Sequence, residues 1–207
     1  MKNTRLFSMT AIMAVFMLFT SGANAQLKTP QPSPGAKVMQ TVGLSDITIA
    51  YSRPSMKGRK IFGDLVPFDQ KWRTGANTST KITFAEDVKV EGKDVKAGDY
   101  ALVTIPGRTE WTIILHKNVN MGGNLGKDYK TEDEVATFKV KPTTLANNVE
   151  NFTINFTDVT LNAANIELSW EKTAVKFNVT TDVDSKVMAE IKEKTGGTTA
   201  GTYFAAA

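Results

Sequence analysis

Apolar and polar residues alternate along most of this chain with a period of two. Such alternation places the apolar side chains of a short segment on one face, as in a half-buried β-strand. It predicts strands around these positions: Ile47, Ile49, Tyr51; Ile82, Phe84, Val88, Val90; Trp111, Ile113, Leu115; Ala136, Phe138, Val140; Phe152, Ile154, Phe156; Ile166, Leu168, Trp170; and Val175, Phe177, Val179.

Short runs of turn-forming residues separate these segments. They are Glu91-Gly92, Ala97-Gly98-Asp99 before a predicted strand over 100–105, Pro106-Gly107 and Asn147-Asn148. Such runs are typical of hairpin connections. Alternation with one solvated face is typical of antiparallel sheets, and this many short strands need two layers to cover their apolar faces. We therefore predict an all-β fold, an antiparallel β-sandwich that is immunoglobulin-like or jelly-roll-like.

The hydrophobic pattern changes to helical spacing after Asp182. Apolar residues there recur every three or four positions, Asp184 is a candidate N-cap, and Gly196-Gly197 suits a helix end. We predict a short C-terminal helix in the segment 182–207. The segment ends in an Ala run without a stop signal, so we expect the helical segment to be truncated at Ala207.

The first 25 residues have the organisation of a secretory signal peptide. Lys2 and Arg5 precede an apolar stretch, and an Ala-x-Ala ending predicts cleavage after Ala25. The stretch is shorter than the roughly 20 residues that span a bilayer, and Cys for lipid attachment is absent from the sequence. We expect a periplasmic or secreted protein that is not a lipoprotein and has no membrane span after signal removal. An extended, Pro-rich leader over 26–36 then precedes one sandwich domain over 37–181.

Composition narrows the possible chemistry. The absence of Cys and a single His among 207 residues exclude thiolate catalysis and zinc sites that need Cys or two imidazoles. Residues 1–25 hold two of the 25 basic residues and no acidic residue, so the rest has 23 basic against 21 acidic residues, a net charge of +2. This balance gives no support to a nucleic-acid partner.

Two stretches resemble ligand loops only superficially. The stretch 121–128, a flexible surface connection by composition, lacks the glycine spacing and hydroxyl of a phosphate-binding loop. The acidic run 132–134 lacks the alternating ligands of a calcium loop. We therefore predict no cofactor and no metal.

Positive charge is concentrated in the segment 51–77. It holds Arg53, Arg59, Arg73 and three Lys against two Asp, a net charge of +4, so the rest of the mature chain sums to −2. The planar guanidinium is suited to gripping a carboxylate or phosphate. Unstructured connections of this length are usually functional or disordered. Disorder is disfavoured by its apolar residues, which we expect to pack on the sandwich: Ile61, Phe62, Leu65, Val66 and Phe68.

In these residues the sequence resembles the DUF2911 family of exported bacterial proteins, common in Bacteroidetes. The similarity covers roughly residues 33–180, and Phe62 stands where the family often has Trp. The resemblance implies a signal-bearing periplasmic or surface protein with a β-rich domain, and it implies no established activity. The blocks that carry it are Ser33-Pro34, Gln40-x-Val42-Gly43, Tyr51-Ser52-Arg53-Pro54, Lys57-Gly58-Arg59, Phe62-Gly63-x-Leu65-Val66-Pro67, Trp72-Arg73-Thr74-Gly75-Ala76-Asn77 and Ala97-Gly98-x-Tyr100-x-Leu102.

Three hypotheses about function follow. The first is a non-enzymatic envelope module that binds a small anionic or carbohydrate ligand, or a partner protein; its arginines would grip an anion and Trp72 would stack on a sugar. The second is a hydrolase of envelope glycans or esters with His116, Asp64 or Asp69 as the base. The third is a structural module whose signature residues only fix the long loop. The binding surface in the first hypothesis comprises Arg53, Lys57, Arg59, Trp72, Arg73 and Asn77.

Overall fold

The structure is a computed structural model that describes residues 29–123 and 125–195. The predicted signal peptide, its cleavage site at Ala25 and residues 196–207 of the helical segment lie outside the described residues. Both sheets lie in a compact unit that begins at Pro32.

Within the described ranges, the strands form two antiparallel sheets. In chain order they are β1 (Gly35–Val42), β2 (Ser45–Ser52), β3 (Thr80–Phe84), β4 (Val88–Val90), β5 (Lys93–Val95), β6 (Gly98–Ile105), β7 (Trp111–His116), β8 (Glu134–Val140), β9 (Thr143–Thr157) and β10 (Ala163–Thr180). One sheet has the spatial order β1-β2-β3-β6-β7-β8, and the other has the order β5-β4-β10-β9. A shared apolar core lies between them. The predicted all-β sandwich is confirmed.

A two-residue turn joins β4 and β5 where the sequence predicts a turn. Glu91 and Gly92 both have positive φ, 48° and 76°, between β4 and β5, as a tight hairpin requires. The prediction of a turn at Asn147-Asn148 is wrong, because both residues lie within β9. The pairing of β9 with β10 does shift register there, between the pairs Thr144–Thr173 and Val149–Glu171. The turn-forming residues therefore mark a bulge in a continuous strand, and not a reversal.

The last two alternating segments belong to a single strand. β10 runs without interruption from Ala163 to Thr180, and its irregularity lies at Glu171, whose φ is 56°. Bulges bend and twist a strand without ending it. One Glu171 carboxylate oxygen accepts a hydrogen bond from the backbone N–H of Ile61 at 3.3 Å. The bulge thus fixes the long connection between β2 and β3.

That connection, residues 53–79, crosses one end of the sandwich and is called the crossing segment below. It places Phe62 and Trp72 among aromatic residues of both sheets. Phe62 lies 4.8 Å from Trp111 of β7, and Trp72 stacks on Trp170 of β10 with ring centres 5.9 Å apart. Each such pair adds to the stability gained by burial. Of the side chains expected to pack here, Ile61, Phe62 and Val66 are buried, Phe68 is half-buried, and Leu65 is 43% exposed.

A second cluster of buried residues covers the outer face of the six-stranded sheet. Ala101, Val103 and Ile114 on that face contact Met121 and Leu125 of the following connection. The connection contains a short helix, α1 (Leu125–Asp128), and a 3₁₀ turn (Thr131–Asp133). The interpretation of 121–128 as a surface connection is therefore wrong for Met121 and Leu125, which are buried, whereas residues 126–128 are exposed. Strands β6 and β7 are covered on both faces, so their sequences lose strict alternation.

The predicted C-terminal helix is present as α2 (Val183–Lys194). Asp182 is its N-cap, with its side chain accepting a hydrogen bond from the Ser185 N–H at 3.1 Å, whereas Asp184 lies in the first turn. The prediction of Asp184 as the cap is wrong by two positions, because the acceptor must precede the first helical turn. In the described part of the chain, no helix combines the length and hydropathy needed to cross a membrane.

Candidate functional site

Arg53 anchors the start of the crossing segment to β9. Its Nε donates to the carbonyl of Phe152 at 3.1 Å, and its Nη2 donates to the Thr153 hydroxyl at 2.7 Å. The backbone N–H of Arg53 also donates to the carbonyl of Pro34 at 2.9 Å. The guanidinium is half-buried, and its hydrogen bonds are directed at protein atoms. Arg53 therefore has the surroundings of a structural residue.

Lys57 and Arg59 lie in the tight turn that follows Arg53. Lys57 has a φ of 50°, and its backbone N–H donates to the Glu150 carboxylate at 2.9 Å. Arg59 donates to the carbonyls of Met56 at 2.8 Å and Ser55 at 2.7 Å. A guanidinium has five N–H donors, so Arg59 holds the turn and retains further donors. The Lys57 ammonium makes no ion pair with the described residues.

Trp72 lies in the core and is 8% exposed. Besides stacking on Trp170, its ring contacts Phe152 at 5.1 Å, and its Nε1 donates to the Gly75 carbonyl at 3.1 Å. Its backbone pairs with Thr104 of β6, with N···O distances of 2.7 and 2.9 Å. The sequence-based role of Trp72 as a stacking platform for sugar needs an exposed ring face, and the structure buries this ring instead.

The residues after Arg73 form a strained loop that returns to β3. Thr74, Gly75 and Asn77 have φ values of 58°, 145° and 61°, and such a value is a genuine outlier for a β-branched residue such as Thr74. A Cβ on Gly75 would lie 3.1 Å from the Ser52 carbonyl oxygen. The loop is held closed by the Thr80 N–H, which donates to the Arg73 carbonyl at 3.1 Å. Strain of this kind persists only where surrounding contacts fix the backbone.

Asn77 secures this loop and does not line the cavity described below. Its side-chain amide donates to the carbonyl of Ser33 and to the hydroxyl of Ser52, both at 3.2 Å. The amide therefore joins the loop to the first residues of the folded unit and to the end of β2. This is the environment of a structural contact.

Arg73 differs from the other arginines of the crossing segment. Among the described residues, its side chain has no hydrogen-bond or ion-pair partner, and its Nε is buried. The residue is half-buried, and burial lowers the pKa of Arg73 from its ordinary value. A desolvated and unpaired guanidinium is unfavourable for the folded state unless a partner reaches it.

Arg73 lines a cavity of about 390 Å³ beside the crossing segment, called the cationic cavity below. Two other cationic side chains, Arg59 and Lys71, also line this cavity. None of the described residues that line it is acidic. The remaining lining is apolar apart from Ser33, Gln70 and the backbone of Gly75. The apolar lining residues are Pro54, Leu65, Val66, Pro67, Trp72, Ala76 and Trp170. The cavity thus combines positive charge with an apolar wall.

Lys71 was not among the sequence-based site residues. In an extended segment, residues on either side of an inward-pointing residue share the opposite face. Trp72 points inward and is 8% exposed, so Lys71 and Arg73 lie together on the other side of the segment; all three residues line the cationic cavity. The apolar Trp72 between two cations is the sequence signal that could have placed Lys71 in the site. The Lys71 ammonium also lies 4.5 Å from the centre of the Tyr129 ring.

A second cavity of about 600 Å³ lies between the crossing segment and the connection after β7. It shares Lys71 and Arg73 with the cationic cavity and adds Asp69, Tyr129 and Thr131. Burial, together with a 2.6 Å hydrogen bond to Glu134, raises the pKa of Tyr129 well above its usual range. The Tyr129 hydroxyl therefore stays protonated and donates to that carboxylate.

His116 is fully buried and both ring nitrogens contact backbone groups. Nδ1 accepts from the Asn118 N–H at 3.0 Å, which leaves Nε2 to donate to the Lys130 carbonyl at 2.9 Å. The ring also packs on Tyr129, with ring centres 4.6 Å apart. A general base needs a free nitrogen within reach of its substrate. The structure gives His116 a packing role and no such nitrogen.

Asp64 and Asp69 are exposed, and neither has an ion-pair or side-chain hydrogen-bond partner among the described residues. Asp64 follows the turn at Gly63, and Asp69 has a φ of 61° with its N–H on the Pro106 carbonyl at 2.8 Å. Neither carboxylate forms a hydrogen bond with His116, whose ring nitrogens bond to backbone groups of Lys130 and Asn118. Among the described residues, no group of three His, Asp or Glu side chains could hold a metal ion.

Fold and site together define an all-β sandwich with a cation-lined cavity beside its crossing segment. The chain matches the model of a family described as "Protein of unknown function (DUF2911)" over residues 33–179. This span covers more than half of the chain and includes every residue that lines the cationic cavity. The protein therefore belongs to the DUF2911 family, as the resemblance predicted. No curated protein and no solved structure matches the chain.

Proposed function

We propose that this protein is a non-enzymatic module that binds a small anion in the cationic cavity, with Arg73 as the principal contact. The observation that carries the proposal is the guanidinium of Arg73, which is partly desolvated and has no partner among the described residues. Such a group is stabilised when a carboxylate, sulfate or phosphate approaches it from solvent.

The surroundings of Arg73 support an anion over a cation or a neutral ligand. Arg59 and Lys71 line the same cavity, and the described lining has no carboxylate to neutralise them. Cations within a concave site of low dielectric raise the local concentration of anions. The volume, about 390 Å³, falls in the range of small-molecule pockets.

The strained loop 74–77 favours a binding role for the residue just before it. Backbone strain is concentrated at ligand sites, where surrounding contacts hold it in place. Here the closing contacts are the hydroxyl of Thr80 on the Thr74 carbonyl and the 3.1 Å hydrogen bond between the hydroxyls of Thr74 and Thr104. They fix the direction in which the Arg73 side chain leaves the backbone, and this pre-organisation lowers the entropic cost of binding.

Carbohydrate binding is supported here only for acidic sugars. Trp72 is buried, so a sugar would be held by its carboxylate or sulfate at Arg73, and not by stacking on that ring. The hydrolase hypothesis gains no supporting contact, because both His116 nitrogens are engaged by backbone groups.

We further propose that the module acts in the periplasm or outside the cell. The charged start, apolar stretch and Ala-x-Ala ending of residues 1–25 support this placement. N-terminal sequencing of the exported protein should find a mature start at Gln26. An unprocessed start at Met1 would contradict it.

The experiment that tests anion binding is a calorimetric titration with sulfate, phosphate, acetate, benzoate and glucuronate. Arg73→Gln removes the proposed contact, and Arg108→Gln is the matched control. Arg108 is exposed, lies 4.7 Å from the Phe68 ring and does not line the cavity. We expect at least one anion to bind the wild type and the control alike. Arg73→Gln should weaken it about 10-fold or more, the usual effect of losing a hydrogen bond to a charged group.

Two results would contradict the proposal. One is that no anion in the series binds the wild type. The other is that an anion binds with equal affinity to the wild type and Arg73→Gln, which would place its contact elsewhere.

A further inference from the structure

The cationic cavity has a larger apolar surface than an anion alone can use. Trp170, which is 2% exposed, and Val66 contribute the edges of buried core side chains. Leu65 adds a side chain that is 43% exposed although it lies against this wall. An inorganic anion bound at Arg73 would leave the exposed part of the Leu65 side chain in contact with water. Apolar surface of this kind is stabilised when a ligand covers it.

The three cationic side chains of the cavity differ in how far protein groups already engage them. Arg59 already donates to the carbonyls of Met56 and Ser55, and the Lys71 ammonium lies over the Tyr129 ring. The guanidinium of Arg73 alone among these three has no protein partner in the described part of the chain. A planar fork of this kind matches a single carboxylate in a bidentate arrangement.

The Arg73 guanidinium has no hydrogen-bond partner among the described residues and lies beside apolar side chains of the cavity. We therefore infer that the ligand is an organic monoanion, a carboxylate on a compact apolar body. This inference rests on the proposed function and narrows it. The carboxylate binds Arg73, with Lys71 and Arg59 contributing long-range attraction. The apolar body lies against Leu65 and Pro67, the two apolar lining residues with exposed side chains. Sulfate, phosphate and polyanionic ligands satisfy the charge and leave the wall uncovered.

The test is a calorimetric titration of the wild type with the series acetate, butyrate, hexanoate and benzoate, with sulfate for comparison. Each CH₂ that becomes buried should strengthen binding about fourfold. Affinity should therefore rise from acetate to hexanoate and exceed that for sulfate.

Two variants show whether the gain arises in this cavity. Leu65→Ser removes apolar surface from the cavity and leaves its three cationic side chains unchanged. It should therefore reduce the gain in affinity per CH₂. Leu161→Ser is the matched control, because Leu161 is 79% exposed and does not line the cavity. The control should keep the full gain. Arg73→Gln should weaken every member of the series.

The outcomes separate the inference from the function on which it rests. Equal affinities for acetate, hexanoate and sulfate, all lost in Arg73→Gln, would overturn the inference and leave anion binding intact. No binding of any anion would overturn both. A gain with chain length that is the same in Leu65→Ser and Leu161→Ser would overturn the inference, because the apolar contact would then lie elsewhere.

Discussion

Arg53 and Arg73 lie at opposite ends of the crossing segment, and their side chains have opposite surroundings. Arg53 donates to a carbonyl and a hydroxyl of β9, whereas Arg73 has a buried Nε without a partner among the described residues. Both lie within the span that matches the family. The difference shows that one sequence signature contains both structural and candidate binding residues. Residue type and local charge do not separate them, but hydrogen-bond partners do.

The largest expected effect comes from removing the buried ring of Trp72, which packs on Phe152 and Trp170. Trp72→Ala should lower the free energy of unfolding by about 3–5 kcal/mol, because it leaves a cavity in the aromatic cluster. Urea denaturation followed by far-UV circular dichroism measures this loss. Trp72→Phe, which keeps a ring against Trp170, should retain most of the stability. A loss below about 1 kcal/mol for the Ala variant would contradict the core position.

A smaller loss of stability is expected at Arg53, which anchors the start of the crossing segment. Arg53→Ala should lower the free energy of unfolding by about 1.5–3 kcal/mol, the usual effect of losing a hydrogen bond with a charged donor. Anion affinity should stay unchanged, because Arg53 does not line the cationic cavity. Denaturation and calorimetry on the same sample check both points. If Arg53→Ala abolished anion binding without lowering stability, the division between the two arginines would be wrong.

The smallest effect on stability is expected at Arg73. Arg73→Gln should change the free energy of unfolding by less than about 0.5 kcal/mol or raise it. Burial lowers the pKa of Arg73, so the folded state disfavours its charged form, and a neutral side chain removes that penalty. Arginine stays protonated near neutrality, so the difference should not vary between about pH 5 and pH 9. A large loss of stability, or one that depends on pH in this range, would assign Arg73 a structural role.

The sequence predicts the strands well where one face is solvated. β2 keeps strict alternation, and the turn at Glu91-Gly92 lies where its residues indicate. Prediction fails where tertiary contacts override the local pattern. Met121 and Leu125 cover the second face of β6 and β7, so these strands lose strict alternation. The alternation pattern predicts two strands on either side of Glu171, whereas the structure has one strand, β10, with a bulge at that residue. The prediction of an extended leader over 26–36 is wrong for its last two residues, because β1 begins at Gly35.

The site was predictable as a region and not as a set of contacts. The excess of Arg and Lys over 51–77 predicts an anion site or contacts that hold the loop in place. The structure shows contacts of the second kind at Arg53, and the anion site stays a proposal. Arg53 finds its acceptors on Phe152 and Thr153, about a hundred positions further along the chain. Such a partner leaves no local signal in the sequence. Lys71 could have been found from the inward-pointing Trp72 beside it, because neighbours of a buried residue in an extended segment share the other face.

The most direct test of the central claim is an NMR titration that observes the arginine Nε–H groups. The chain after residue 25 contains only Arg53, Arg59, Arg73 and Arg108, so the spectrum is simple and Lys substitutions assign it. On addition of hexanoate, the Nε–H resonance of Arg73 should shift, while that of Arg53 should stay in place. A shift at Arg53 with none at Arg73 would contradict the account.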